Sequence, residues 1–599
     1  MEKRLSAAHP DSPARWLELH EGGAPILLIA PHGGSAGPDS HRTLHPKVND
    51  LHTADITREL ARRLGATAII NAAMDRNRLD CNRLTQVIGD APWLLEIVAQ
   101  RVERIVARHS RAVVAVIHGW NVIEPRVDVG VGLRLIGGAL RPARGAHVSA
   151  SDGFINGALA NLSRRLRVHG IEPTFGLRYP GGAAHNLLQA FTPRFAESPV
   201  DPLRRLAALA ARGALEAVQL ELSVALRLPG KIRAHGLDAI AAALSEEALA
   251  ESAQAAPPAM ANRGPAIIRV AAATRPKPAS QPPPTMPQRA GIEFYDPRAG
   301  IGVMASFDIG GAARVMAIIG RCQIALFTAE GATQVSPAGL RLGPISLIAA
   351  GDRLRLAFRG PAVIVDDGTA YLSVERALAS ASLHDMLQLE AEFQPWTASG
   401  SSESAAVSLA RLCAGTSDGG SGRFGRVTGN FTIGGAALAL DAVARLGGSF
   451  AGLGARPFDR RRMVWAAVPD SGAIRAVELR DLAAPDGQNL GSATIHAHDG
   501  PIIARLDSLA IEQDSSETPP RRIEARFRPE RDGQSVTLGG SVGSFVMLSR
   551  PGLEGSRIHT TLGFASLRIG AFDGAGMFEL SRRVGVHGGL AGSDEPEED

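Results

Sequence analysis

Polar and apolar positions follow two different rhythms along this chain, one on each side of a proline-rich stretch. Between residues 24 and 229, short aliphatic runs at residues 26–30, 67–71, 113–117 and 218–222 alternate with longer stretches of helical periodicity. Unbroken runs of this kind predict strands buried on both faces, and their alternation with helices predicts an α/β domain built on a mixed sheet flanked by helices. Ile56, Leu60 and Leu64 recur at helical spacing with Gly65 as the stop. Leu94, Leu95, Val98, Val102, Ile105 and Val106 form a second stripe, so helices are expected to cover the sheet.

An Ala-rich helical stretch to about residue 256 leads into residues 257–289, where prolines accumulate, including Pro282-Pro283-Pro284. Such a composition cannot pack a core and predicts an extended tether. From residue 291 onward β-type runs such as 313–319, 354–358 and 427–433 stand between Gly, Asp and Pro turns, and this half reads as all-β. Glu390-Ala391-Glu392-Phe393-Gln394-Pro395 returns as Glu524-Ala525-Arg526-Phe527-Arg528-Pro529, an echo that predicts duplication into two β-barrels. The expected division is residues 1–235 for the α/β domain, 236–290 for an Ala/Pro-rich helix and linker, 291–420 and 421–590 for two barrel-like domains, and 591–599 for an acidic, solvating tail.

Composition bounds the function without naming it. At 599 residues the chain exceeds what one hydrophobic core can hold. A net charge of +4, with no basic stripe interleaved with aromatics, argues against a nucleic-acid partner. Cys81, Cys322 and Cys413 are odd in number and far apart, which predicts neither a disulfide framework nor a thiolate zinc site and suits a reducing cytoplasm. Residues 1–17 lack the apolar segment of a secretory signal, and no run of ~18 apolar residues predicts a transmembrane segment.

The chemistry-bearing residues collect in the first domain. The run at 26–30 ends in Pro31-His32-Gly33-Gly34, and the run at 113–117 ends in His118-Gly119-Trp120. Each places an imidazole at a strand's carboxyl end, where open α/β sheets bind ligands. If the two strands are near neighbours, both imidazoles can share a metal, and with one carboxylate they leave zinc an open position. That carboxylate is expected to be Asp50, just before the helix that begins near Thr53, where the bland alternative is a helix N-cap or first-turn acid. Asp39 and His52 are rival ligands in the same loop. The cluster Arg76-Asn77-Arg78-Leu79-Asp80-Cys81-Asn82-Arg83 supplies guanidinium and amide donors suited to an oxyanion or a carboxylate, unless it is only a solvated basic loop. Glu221, inside the run Gln219-Leu220-Glu221-Leu222, is a charge in an otherwise buried strand and a candidate general base, the alternative being a strand-edge acid facing solvent.

Taken in order, Pro31-His32-Gly33-Gly34, the segment 50–55, Arg76-x-x-x-Asp80-x-Asn82-Arg83, His118, Tyr179-Pro180-Gly181-Gly182 and Gln219-x-Glu221 resemble the N-formylglutamate amidohydrolase family over roughly the first 235 residues. That family is related to zinc carboxypeptidases. The resemblance implies a phosphorylase/hydrolase-like α/β fold, a Zn2+ ion on His32, Asp50 and His118, Glu221 as the base for the attacking water, and Arg76 on the tetrahedral oxyanion. It further implies that Asn82, Arg83 and Arg134 grip the substrate. The implied activity is zinc-dependent hydrolysis of an amide in an N-acyl amino acid, peptide-like or γ-glutamyl-type substrate. One departure is visible: Val116 stands where the family carries an Asp before the later histidine. The second half resembles tandem lipocalin-like proteins of the carotenoid 1,2-hydratase type, through Gly425-Arg426-Val427-Thr428-Gly429, Gly448-Ser449-Phe450 and the segment 576–583. It has Asp441-Ala442-Val443-Ala444-Arg445 in place of a His- and Asp-rich segment, so this half is expected to bind an apolar or amphipathic ligand in a barrel rather than to catalyse. The alternative for the whole chain is a non-catalytic binding protein that works through its β half.

Overall fold

The structure is a computed structural model that describes residues 16–35, 47–136, 139–252, 289–308, 311–336, 338–396, 407, 409, 422–448, 458–469, 474–485, 487–530, 533–551 and 556–586. Asp39, Cys413, Ser449-Phe450, the proline-rich segment up to residue 288 and the acidic end lie outside these residues. The chain divides into two compact units that part between residues 279 and 280.

The first unit contains strands β1 (Leu17–His20), β2 (Ile26–Ala30), β3 (Thr67–Asn71), β4 (Ala112–Trp120), β5 (Arg126–Gly130), β6 (Leu133–Ile136), β7 (Ala139–Pro142), β8 (Glu172–Phe175) and β9 (Leu215–Ser223). Seven of them form one mixed sheet in the order β1-β3-β2-β4-β9-β5-β8, while β6 and β7 make a separate pair. The central neighbours β3, β2, β4 and β9 run parallel, whereas β1 and β5 pair antiparallel with β3 and β9.

The aliphatic runs are continuous because both faces of the sheet are covered. Alternate residues go to opposite layers. Ile26, Leu28, Val113, Ala115 and Ile117 enter one core with Ile56 and Leu60, and with Leu237, Ile240 and Leu244 of the helix Lys231–Ser252. Leu27, Ile29, Val114 and Val116 enter the other with the stripe of the helix Pro92–His109 and with Leu203 and Leu206. Each of these larger side chains contributes about 1.5–3 kcal/mol on burial. The helix Thr53–Leu64 stops where predicted: Gly65 takes a left-handed conformation, φ 60°, and its N–H caps Ala61. The helix Lys231–Ser252 puts Leu237, Ile240 and Leu244 into the first core, so the boundary expected at 235 falls inside an element of the α/β unit.

The second unit is all antiparallel β apart from short helical turns such as Val374–Ser380. Eleven strands form a first sheet that curls until residues 324–326 pair with residues 363–365. Eight strands within residues 460–586 close a separate barrel. The strands Arg423–Ile433 and Ala436–Gly448, expected in the second barrel, instead pair with Ser382–Pro395 and Arg289–Asp296 of the first sheet. The expected cut at 420 therefore falls between two neighbouring strands, and the physical reason is that these strands cover edges the first sheet would otherwise expose. The internal echo lies on the strands Ser382–Pro395 and Arg522–Pro529, with Ala391 and Phe393 buried in one and Ala525 and Phe527 in the other. No helix among the described residues is long and apolar enough to cross a membrane.

Candidate metal centre

Parallel pairing of β2 with β4, Ile29 opposite Val116, carries the chain ends at His32 and His118 to the same edge of the sheet. Their ring centroids are 4.9 Å apart at 65°, and the two residues are 1% and 3% exposed. The segment entering the first helix crosses beneath them, anchored by the Asp50 N–H donating to the His32 carbonyl at 2.9 Å. Asp50 then turns its carboxylate upward: Oδ2 lies 3.2 Å from Nδ1 of His32, 3.2 Å from Nδ1 of His118 and 3.0 Å from the Gly119 N–H. His32, Asp50 and His118 form a buried group that could hold a metal ion.

Of the two rival ligands, His52 does not join this group. His52 is the residue that caps the helix, at φ 71° and without a side-chain cap bond, and its Nδ1 lies 3.8 Å from Asp55. Asp50 receives the Thr53 N–H on its backbone carbonyl, not on its carboxylate. Asp39 lies outside the described residues.

The donor set suits a tetrahedral cation. Bonds of about 2.0–2.1 Å place neighbouring ligand atoms about 3.3 Å apart, and two edges here measure 3.2 Å. The far nitrogen of His32, Nε2, lies 2.6 Å from Asp80 Oδ1. A carboxylate in that position keeps the proton on Nε2 and leaves Nδ1 free to ligate. Without a cation, His32 must carry both protons to satisfy Asp50 and Asp80 together. Burial and Arg76 push its pKa down, yet the two carboxylates outweigh them and hold it above the ordinary histidine value. For His118 burial wins and the pKa falls. Burial would raise both acids, but His32 above all, with His118 and Arg76, holds Asp50 well below the carboxylate range, and His32 and Arg76 do the same for Asp80.

Around the group stand the other expected residues. Glu221 is the direct neighbour of His118 across β4 and β9, and of Asp128 across β9 and β5. It is 5% exposed and accepts a hydrogen bond from Gln219 at 2.7 Å; Gln219 in turn accepts from Asn186 at 3.3 Å. Burial, with Asp50 and Asp128 nearby, raises its pKa well above the glutamate value. Arg76 lies 3.5 Å from both Asp50 and Asp80, its Nε buried without a partner among the described residues. Arg83 lies 3.8 Å from Asp80, and the Asn82 N–H donates to the same carboxylate at 3.1 Å. Arg134 sits on β6 opposite Arg141 and makes no hydrogen bond or ion pair among the described residues.

Three residues carry more of the architecture than their pattern suggested. Asp80, read as part of a polar cluster, orients His32. Asp128 is fully buried and accepts from Thr174 and from the N–H groups of Leu177, Arg178 and Tyr179, holding the loop that leads to Gly181. Arg227 is 1% exposed and donates to the carbonyls of Leu51 and Trp120 and to Asn121 Oδ1 at 2.8–3.2 Å. It thereby ties the residue after Asp50 to the strand end that bears His118. A Cβ on Gly119 would meet this guanidinium at 2.8–3.0 Å, so the glycine makes room for it. The visible signal was a charge in the apolar run Val224-Ala225-Leu226-Arg227-Leu228. Val116, where an acid was expected, packs in the apolar core, and Nε2 of His118 is buried without a partner among the described residues.

No protein-family model matches the chain, and no curated protein does. Among solved structures it is similar to N-formylglutamate amidohydrolase from Ralstonia eutropha JMP134, at 13% identity over 40% of this chain and 98% of that one, with a TM-score of 0.27. It is also similar to kievitone hydratase from Nectria haematococca, at 10% identity over 49% and 89% with a TM-score of 0.28. A protein assigned as AttH from Nitrosomonas europaea gives 10% identity over 49% and 92% with a TM-score of 0.30. Likenesses this distant assign no activity to the chain.

Proposed function

We propose that the first unit is a zinc-dependent amidohydrolase acting on an N-acyl amino acid, peptide-like or γ-glutamyl-type amide. The observation that carries this reading is the meeting of His32, His118 and Asp50 at one buried point with Glu221 in register on the adjoining strand. A cation held by His32, Asp50 and His118 would act as a Lewis acid toward a scissile carbonyl and acidify water. The chain's own groups supply the rest. Glu221, in register beside His118 on the adjoining strand, takes the proton of the attacking water and passes it to the leaving nitrogen. Arg76 faces the oxyanion while its contacts with Asp50 and Asp80 hold it in place. Asn82, whose buried Oδ1 has no partner among the described residues, and Arg83 recognise the substrate's polar end, together with Arg134.

The test is a panel of N-acyl amino acids and γ-glutamyl amides offered to zinc-loaded and chelated protein, with metal content measured in parallel. One zinc per chain with chelator-sensitive turnover supports the reading. Protein that takes up no zinc and hydrolyses nothing would make the first unit a binding scaffold instead.

A further inference from the structure

The lumen of the closed barrel changes character along its length. Its middle is filled by apolar side chains from around the wall, among them Val464, Val477, Ile523, Met547 and Leu580. Alternate residues of a strand share a face, so positions two or four residues beyond these also face inward. That places Arg462 and Arg460 beyond Val464, and Arg582 beyond Leu580, inside one end of the barrel. The pairing register agrees. Arg460 stands opposite Arg582, Arg582 opposite His559, and His559 opposite Ser549, one continuous row across four strands. Arg557, opposite Val584, continues the same face one step nearer the mouth.

This row is rich in donors and poor in acceptors. Asp481 accepts from Arg462 at 2.8 Å and lies 3.6 Å from Arg460. Glu517 is the acid near His559. Arg557 and Arg582 form no ion pair among the described residues. The Nε atoms of Arg460, Arg557 and Arg582, Nδ1 of His559 and Oγ of Ser549 are all buried without a hydrogen-bond partner among the described residues. Burial, with Arg460 and Arg462 close by, depresses the pKa of Arg582. Like charges set opposite one another in a ladder repel, and buried donors without acceptors carry their full desolvation cost. Both penalties vanish if one anion accepts from several guanidiniums, whose planar forks match phosphate and carboxylate oxygens. Among the described residues, four guanidiniums face two carboxylates, which suits a dianion.

We propose that this end of the barrel is a binding site for a small molecule carrying a dianionic oxyanion group, phosphate or polycarboxylate, held by Arg460, Arg557 and Arg582 with His559 and Ser549. The site is separate from the histidine cluster and independent of the amidohydrolase reading. It places the ligand at the barrel's mouth, because apolar side chains fill the middle.

The experiment is calorimetric titration of the full chain with inorganic phosphate and with citrate, at ionic strength held constant with sodium chloride. Saturable binding of one anion per chain is expected, weakened at least about tenfold by Arg582→Gln and by Arg557→Gln. Binding by phosphate alone or by citrate alone distinguishes the two chemistries, and either supports the site. Because these substitutions relieve repulsion, the anion-free variants are expected to resist urea at least as well as the parent, which separates loss of the site from loss of the fold. The peptides covering residues 556–569 and 572–586 should exchange amide hydrogen more slowly with anion present. No saturable binding, or equal affinity in parent and variants, overturns the proposal.

Discussion

Replacing Glu221 by Gln should make the first unit more stable as it makes it inactive. The carboxyl is buried, and burial, with Asp50 and Asp128 nearby, raises its pKa well above the glutamate value. In the unfolded chain it titrates near its ordinary value of about 4.3. A raised folded pKa means that the group's contribution to stability is fully present below the unfolded value and is lost as pH rises through the folded one. One proton corresponds to a slope of about 1.4 kcal/mol per pH unit between the two midpoints. Gln keeps the volume and can still accept the Gln219 hydrogen bond, but it has no charge to desolvate. The stability difference between Glu221→Gln and parent should therefore be within about 0.5 kcal/mol near pH 4.3, grow by about 1.4 kcal/mol per unit above it, and level off past the folded midpoint. Urea unfolding in chelator at a series of pH values, read by hydrogen exchange of the β4 and β9 peptides, measures it. Zinc content should stay unchanged while turnover falls at least ~100-fold, about 2.7 kcal/mol of barrier. A stability difference that is flat with pH, or a variant less stable throughout, would refute the reasoning that Glu221 is a strained, uncompensated acid.

Three further outcomes are expected. His32→Ala should abolish stoichiometric zinc, read by metal analysis, with the β half still folded by circular dichroism. Asp80→Asn keeps the shape but weakens the hold on the far nitrogen of His32, so zinc affinity in a competition titration should drop about 10–100-fold; unchanged affinity would mean that Asp80 does not orient the ligand. Gly119→Ala pushes a methyl against the Arg227 guanidinium and should cost about 1–3 kcal/mol in urea unfolding, whereas a neutral effect would show that Arg227 can move without disturbing Asp50.

Local pattern was enough to identify β2, β3, β4 and β9, the helix stop at Gly65 and the two strand-end histidines, because burial on both faces leaves continuous aliphatic runs and Gly65 is needed where φ turns positive. Glu221 was visible for the same reason, as a charge where the pattern demanded an apolar residue. The adjacency that makes the histidines a pair was not visible. β2 and β4 are separated in sequence by β3, which lies on the opposite side of β2, and only the sheet order brings them side by side. Nothing local distinguishes Asp50 from His52; between these two the choice follows from the Asp50 N–H docking on the His32 carbonyl, a contact between segments 18 residues apart, while Asp39 lies outside the described residues. Arg227 and Asp80 likewise acquire their partners from distant turns, and the strands at 423–448 join the first sheet because its edges, not their own composition, required closing. Periodicity reports how deeply each residue is buried and in which element, whereas partners across the sheet are chosen by the packing of the whole unit.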